Sequence, residues 1–188
     1  MDIEFTAQCI SLFGMAMNVT SFQCKEQRHI IFMQLIGSVF FGVSYFMIGA
    51  YVGGLLNAIG MARAIVYWQR ERFRAHKAFW VYAIGAVSIG VYALSFAVFG
   101  AEASAKNLAV EVLPVIGMII TTVSFYLGRA RAVRFIGIAN SPLWLTYNLF
   151  NFNIGGIITE CIALVSIIIG IVRYDLKKEV SENDKAES

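Results

Sequence analysis

Seven long apolar runs separated by short connections make up almost the whole sequence, and no other feature constrains the fold as strongly. A helix needs roughly 20 apolar residues to cross a hydrocarbon core about 30 Å thick, and each run approaches that length. The hydrophobic fraction of 59% and the charged fraction of 14% differ from those of soluble domains in the direction that lipid contact requires. The sequence therefore predicts a single membrane domain with no soluble catalytic domain.

The predicted spans are helices, because only helices and closed barrels satisfy the backbone in lipid and the runs lack the two-residue alternation of barrel strands. The predicted spans cover residues 4–22, 30–49, 52–68, 79–99, 110–128, 135–151 and 154–173. Two of the connections, near residues 49–51 and 151–153, are short enough to be tight turns. We expect an all-α membrane protein of seven transmembrane helices.

The distribution of Lys and Arg indicates how the chain is oriented. Basic residues occupy the first, third and fifth connections and follow the last span: Lys25, Arg28, Arg70, Arg72, Arg74, Lys77, Arg129, Arg131, Arg134, Arg173, Lys177, Lys178 and Lys185. The second and sixth connections hold none, and the fourth holds Lys106. Because Lys and Arg accumulate on the cytoplasmic side, the pattern predicts an N-terminus outside and a cytoplasmic C-terminus. The net charge of +3 follows from this topology, so we expect no nucleic-acid partner.

The two halves of the chain resemble each other. Segment 14–22 of the first span aligns with segment 117–125 of the fifth, and after a one-residue shift Gly53-Gly54 aligns with Gly155-Gly156. Two units of three spans run in the same sense when one odd span separates them, as in parallel-repeat transporters of the SWEET type. We expect a 3+1+3 SWEET-like arrangement: a first triple-helix unit at 1–75, linker helix 4 at 76–105, a second triple-helix unit at 106–175 and a disordered cytoplasmic tail at 176–188.

Several segments, in order and spacing, resemble the YgjV-type bacterial inner-membrane proteins. They are Leu56-Asn57-Ala58-Ile59, Leu113-Pro114-Val115-Ile116-Gly117, Trp144 followed by Asn148, and Ile154-Gly155-Gly156 followed by Glu160. The resemblance runs from about Gly14 to Arg173 and implies a bacterial inner membrane and a fold related to the SWEET and PQ-loop transporters. It implies no particular activity. The proline-glutamine pair of the PQ-loop proteins is absent, since Val115 follows Pro114 and Leu143 follows Pro142.

Two ionisable residues, Arg63 in the third span and Glu160 in the seventh, lie at membrane depth. Such groups are costly in lipid and usually face a cavity or a partner. Because equivalent helices of two repeats face each other, Arg63 could approach Glu160 directly or through water. The two residues would then be a gate, a coupling pair or substrate ligands. The alternative is that Arg63 extends to the headgroups while hydroxyl groups satisfy Glu160. Pro142 removes a backbone hydrogen bond within the sixth span and is a candidate hinge.

Amide, hydroxyl and aromatic side chains near the predicted midplane suggest a site for a small polar solute. The candidate ligands are Asn57, Thr159, Trp144, Asn148, Tyr45 and Tyr147. The alternative is that the amide and hydroxyl groups join helices, and that the aromatic rings are anchors at the membrane surface.

The sequence contains no motif of a hydrolase, metalloprotease or nucleotide-binding enzyme, so we expect no enzyme, metal or other cofactor. Two functions stay open. One is a secondary carrier or facilitator that moves a small polar solute by rocking one unit against the other. The other is a non-transporting receptor or assembly partner on the same fold. The lipid bilayer is the expected partner, and a homo-oligomer is not required because seven helices can form a pathway alone.

Overall fold

The computed structural model describes residues 3–98 and 104–176, which form seven α-helices followed by a π-helical turn and contain no β-strand. The helices are α1 (Ile3–Ser21), α2 (Gln27–Met47), α3 (Tyr51–Trp68), α4 (Phe79–Ala97), α5 (Ala105–Tyr126), α6 (Ala130–Phe150) and α7 (Ile154–Gly170). The π-helical turn, Ile171–Leu176, continues α7 directly. The seven predicted helices are confirmed as helices. The tail predicted to be disordered covers residues 176–188. Of these, Leu176 ends the π-helical turn, and residues 177–188 lie outside the described residues.

Helix α5 begins earlier than the predicted residue 110, and this changes the position of a proline. Ser104 precedes the helix, and its hydroxyl accepts a hydrogen bond from the backbone N–H of Asn107, as N-cap serines do. The prediction missed this first turn because its polar residues do not look like a membrane span. Pro114 therefore lies inside α5 and not in its first turn.

In the described residues an apolar core is buried, but many large apolar side chains are exposed and many polar ones are buried. Phe13, Tyr82 and Ile168 are exposed, whereas Ser11, Thr122 and Asn148 are buried. A soluble protein has the reverse preference, so this distribution fits a chain surrounded by lipid. Three segments are long and apolar enough to cross a membrane by length and composition: Gln27–Met47, Ala105–Tyr126 and Ile154–Leu176.

Six of the helices form a closed ring. Helices α1, α2 and α3 pack side by side in chain order, and α5, α6 and α7 do the same. Contacts between α1 and α7 and between α3 and α5 close the ring, and α2 touches α6 across its centre. Helix α4 lies outside the ring against α3 and α5. This order places α3 opposite α7 and leaves room for a site at the centre.

Candidate functional site

A central cavity of about 100 Å³ lies within the ring of six helices. Its polar lining comes from Asn18, Gln34, Ser38, Asn57, Thr121, Ser124, Asn140, Ser141 and Asn148, together with the charged residues Arg63 and Glu160. A single buried water needs about 10–15 Å³ by the same kind of measure, so the cavity has room for several waters or a small solute. The arrangement of polar groups within an otherwise apolar bundle is typical of a binding site.

An aromatic cluster at one end of the cavity joins α2 and α3 to α6. The hydroxyl of Tyr45 donates to Oδ1 of Asn148 over 2.5 Å, and the hydroxyl of Tyr147 accepts from the backbone N–H of Gly53 over 3.0 Å. The rings of Tyr45, Tyr147 and Trp144 lie with their centroids 6.0–6.3 Å apart. We call this the aromatic end. Tyr45, Tyr147 and Asn148 are buried.

The other end, which we call the basic end, carries the connections that follow α1, α3 and α5. Nε2 of Gln27, at the start of α2, donates to the carbonyl oxygen of Phe125 over 3.0 Å, near the end of α5. Arg70, which follows α3, donates through an NH2 group to the carbonyl oxygen of Tyr126 over 2.9 Å. The carbonyl oxygen of Phe125 also accepts from the backbone N–H of Gly128 over 3.2 Å, so both backbone and side-chain donors bond the carbonyl groups at the end of α5. The side chains of Gln27 and Arg70 also join α2 and α3 to α5.

A buried ion pair completes the basic end. Nε and an NH2 group of Arg134 each lie 2.8 Å from a carboxylate oxygen of Asp175, and another nitrogen donates to the carbonyl oxygen of Cys24 over 3.1 Å. The hydroxyl of Tyr174 donates to the carbonyl oxygen of Gln23 over 3.1 Å. Paired, two-point Arg–carboxylate contacts are strong and directional. Helix α6 and the π-helical turn are thus joined to the end of α1.

The sequence prediction counted Arg134 among the residues of a connection, but Arg134 lies in α6 and is 2% exposed. A helical pattern offers a signal for this position. Arg134, Ser141 and Asn148 follow one another at intervals of seven residues, which places them on one face of a helix. All three are buried.

Arg63 lines the cavity from α3 and has no carboxylate partner among the described residues. NH1 of Arg63 donates to the carbonyl oxygen of Met118 over 3.3 Å and to its sulfur over 2.8 Å. The guanidinium carbon lies 4.8 Å from the ring centroid of Phe125. Nε is buried without a hydrogen-bond partner. The arginine is therefore held at the cavity wall by neutral groups.

Glu160 lines the cavity from α7, opposite α3, and is buried. Ser141 of α6 lies beside its carboxyl group. No direct ion pair joins Glu160 to Arg63 within the described part of the chain, and each side chain lies beside a different neighbour. The two groups therefore present separate charged or polar positions to the same cavity.

The cavity brings together most of the predicted ligands. Asn57, Trp144, Asn148 and Tyr45 line it with Arg63 and Glu160. Thr159 and Tyr147 are buried beside it rather than in its lining. The hydroxyl of Thr159 donates to the carbonyl oxygen of Gly155 over 2.6 Å, within its own helix. The role of these residues as ligands stays a prediction.

Pro142 lies inside α6 as predicted, with an exposed side chain that does not line the cavity. Sequence reasoning missed Asn18, Gln34, Ser38, Thr121 and Asn140, which all line it. One signal was available, because Gln34 and Ser38 are four residues apart and so share a face of α2.

Residues 5–178 match the profile of a family described as bacterial inner membrane protein, YgjV. The chain belongs to this family. It is 24% identical over 174 residues to "Inner membrane protein YgjV" of Escherichia coli strain K12, and the alignment covers 93% of this chain and 87% of that relative. No solved structure matches the chain. The resemblance identified in the sequence is confirmed, and the protein is a multi-pass protein of the bacterial inner membrane.

Proposed function

We propose that the protein is a secondary carrier or facilitator of a small polar solute, and not an enzyme. In this proposal all seven helices cross the membrane, α1–α3 and α5–α7 form two parallel triple-helix units, and α4 links them in a SWEET-like 3+1+3 arrangement. The basic end faces the cytoplasm and the aromatic end faces outward, in accordance with the accumulation of Lys and Arg on the cytoplasmic side.

The observation that carries the proposal is the polar cavity between the two units. Its lining is drawn from α1, α2 and α3 on one side and from α5, α6 and α7 on the other. Carriers built from repeats bind their solutes near the midplane, where the repeats meet. Asn57, Trp144 and Glu160 are the candidate ligands there, and they include an amide, an aromatic ring and a carboxyl group.

Contacts between the units at both ends support alternating access. Tyr45–Asn148 and Gly53–Tyr147 join the units at the aromatic end. Gln27–Phe125 and Arg134–Cys24 join them at the basic end. A rocking motion can break one set while the other acts as a pivot, and this is the rigid-body motion expected of repeat-based carriers. The candidate hinge Pro142 lies in α6, between the two sets.

The second candidate is a non-transporting receptor or assembly partner. The observation that favours it is the extent of direct bonding at both ends, since a receptor needs a cavity but no motion. The two functions differ in flux: a carrier moves solute across the bilayer, and a receptor binds it without moving it.

The test is uptake into proteoliposomes across a panel of small polar metabolites. We expect the intact protein to transport at least one of them, and Asn57→Ala and Glu160→Gln to reduce the flux because each removes a polar group from the cavity. Ile89→Ala, an exposed position on α4 outside the ring, is the matched control for expression and reconstitution. Equal flux in the intact protein and both cavity variants contradicts the proposed site.

The same proteoliposomes can test whether solute transport is coupled to proton movement. If Glu160 carries the coupled proton, Glu160→Gln loses accumulation against a gradient and keeps solute exchange. If accumulation is unchanged, transport is not coupled through Glu160. Binding of a solute without flux, in preparations where a known carrier is active, supports the receptor.

A further inference from the structure

The charge of Arg63 has no countercharge among the described residues. It is 7% exposed, and its hydrogen bonds go to a carbonyl oxygen and a thioether sulfur. Among the described residues no carboxylate lies within ion-pair distance, and Nε has no partner at all. A buried guanidinium without a countercharge is costly. The buried charge of Arg63 therefore lowers the stability of the fold.

Arg134 supplies the comparison within the same bundle. It is also buried, but Asp175 compensates its charge through two hydrogen bonds, and it does not line the cavity. The fold can therefore supply a countercharge to a buried arginine. At Arg63 it supplies a thioether and an aromatic face instead, and leaves the charge at the wall of a cavity that can hold a small molecule.

We infer that Arg63 binds the anionic group of a small solute. The solute then provides the negative charge that no described side chain provides to Arg63. The inference rests on the proposed function and specifies the class of solute. Guanidinium groups form two parallel hydrogen bonds with carboxylates and phosphates. NH1 is already oriented by its hydrogen bond to Met118, and the guanidinium group lies close to the ring of Phe125. These contacts limit the directions from which the anionic group can reach the guanidinium group.

The polar groups around Arg63 match the remainder of such a solute. Asn57 lies on the same helix, less than two turns towards the aromatic end, and Thr121 and Asn140 line the cavity from α5 and α6. Oδ1 of Asn140 is buried without a hydrogen-bond partner. It can accept from a hydroxyl or amino group of the solute. A hydroxylated or aminated carboxylate or phosphate has both kinds of group.

The experiment measures the melting temperature of the purified full-length protein in detergent at constant ionic strength. Sodium chloride is exchanged for sodium acetate or inorganic phosphate, and acetamide serves as the neutral match for acetate. We expect acetate or phosphate to raise the melting temperature and acetamide to leave it unchanged. In Arg63→Gln the apparent affinity for the anion falls by about 10-fold or more, as when one charge-assisted contact is lost. Arg63→Lys, which keeps the charge, retains a weaker response.

In sodium chloride, without acetate or phosphate, Arg63→Gln should have the same melting temperature as the intact protein or a higher one, because the substitution removes a buried charge that has no partner. This measurement distinguishes loss of binding from loss of folding. The response to acetate relative to phosphate identifies which anionic group the site prefers. Equal anion responses in the intact protein and Arg63→Gln, or no response to either anion, overturn the inference.

Uptake into proteoliposomes separates this inference from the proposed function. Anion binding that depends on Arg63, with no flux of any solute, contradicts the carrier and supports the anion site. Flux of a neutral solute that is unaffected by Arg63→Gln supports the carrier and overturns the anion site.

Discussion

Buried charge is the feature that most distinguishes individual residues in this bundle. Arg134 and Asp175 compensate each other at the basic end, and Tyr174 lies beside them with its ring centroid 5.5 Å from the guanidinium carbon of Arg134. A compensated pair of this kind contributes little net stability but becomes costly when one partner is removed. The ion pair also fixes the position of the π-helical turn relative to α1 and α6.

At the scale of this ion pair we predict that Asp175→Asn lowers the free energy of unfolding by about 3–5 kcal/mol, because Arg134 then stays buried without a countercharge. Glu71→Gln, at an exposed position, is the control and should change stability by less than about 0.5 kcal/mol. Thermal unfolding in detergent compares the two. Similar melting temperatures for both variants would show that the ion pair does not stabilise the basic end.

Close helix contacts at glycines determine how the elements pack, and α6 against α7 is the clearest case. A Cβ atom at Gly156 would overlap the amide group of Asn148, the same group that accepts the hydrogen bond of Tyr45. Small residues permit such close approach in membrane proteins, where lipid offers no hydrophobic drive for association. The packing of α6 on α7 therefore affects the hydrogen bond between Asn148 and Tyr45 at the aromatic end.

At the scale of the helix pair we predict that Gly156→Ala destabilises the protein by about 1–3 kcal/mol, the usual cost of overpacking. It should also displace Asn148 from Tyr45. Gly90→Ala in α4 is the matched control, since a Cβ there meets no atom within 4 Å and removal of a helical glycine stabilises by about 0.5–1 kcal/mol. Thermal unfolding in detergent compares the stability of the two variants. If Gly156→Ala were as stable as Gly90→Ala, close contact at α6–α7 would not be required.

The proposed orientation of the whole molecule, with the basic end in the cytoplasm, can be tested at exposed positions of both ends. Phe152, in the turn between α6 and α7, is 82% exposed at the aromatic end. His76, after α3, is exposed at the basic end. Among the native cysteines, Cys24 is a poor reporter because burial raises the pKa of its thiol and so reduces the reactive thiolate.

At this scale we predict the labelling pattern of single cysteines in a background without Cys9, Cys24 and Cys161. Phe152→Cys should react with a membrane-impermeant maleimide in intact spheroplasts. His76→Cys should react only after permeabilisation, because the positive connections stay in the cytoplasm. The reverse pattern would place the N-terminus in the cytoplasm.

The sequence by itself determined the number and approximate position of the helices and the family. Apolar runs of sufficient length must form helices in lipid, since every backbone polar group has to be satisfied within the segment. Asn57, Trp144, Asn148, Arg63 and Glu160 were identified from their positions along the predicted spans, and all five line the cavity.

Only the tertiary structure decided how each helix is rotated and which groups meet. Rotation decides that Asn57 lines the cavity and Thr159 does not, although each side chain donates to a backbone carbonyl of its own helix. Packing decides that Arg63 rests on Met118 and not on Glu160, and that Arg134 meets Asp175 across 41 residues of sequence. These outcomes depend on the shapes of neighbouring helices, because close packing in the bundle fixes one rotation for each helix. A hydrophobic run carries no information about that rotation.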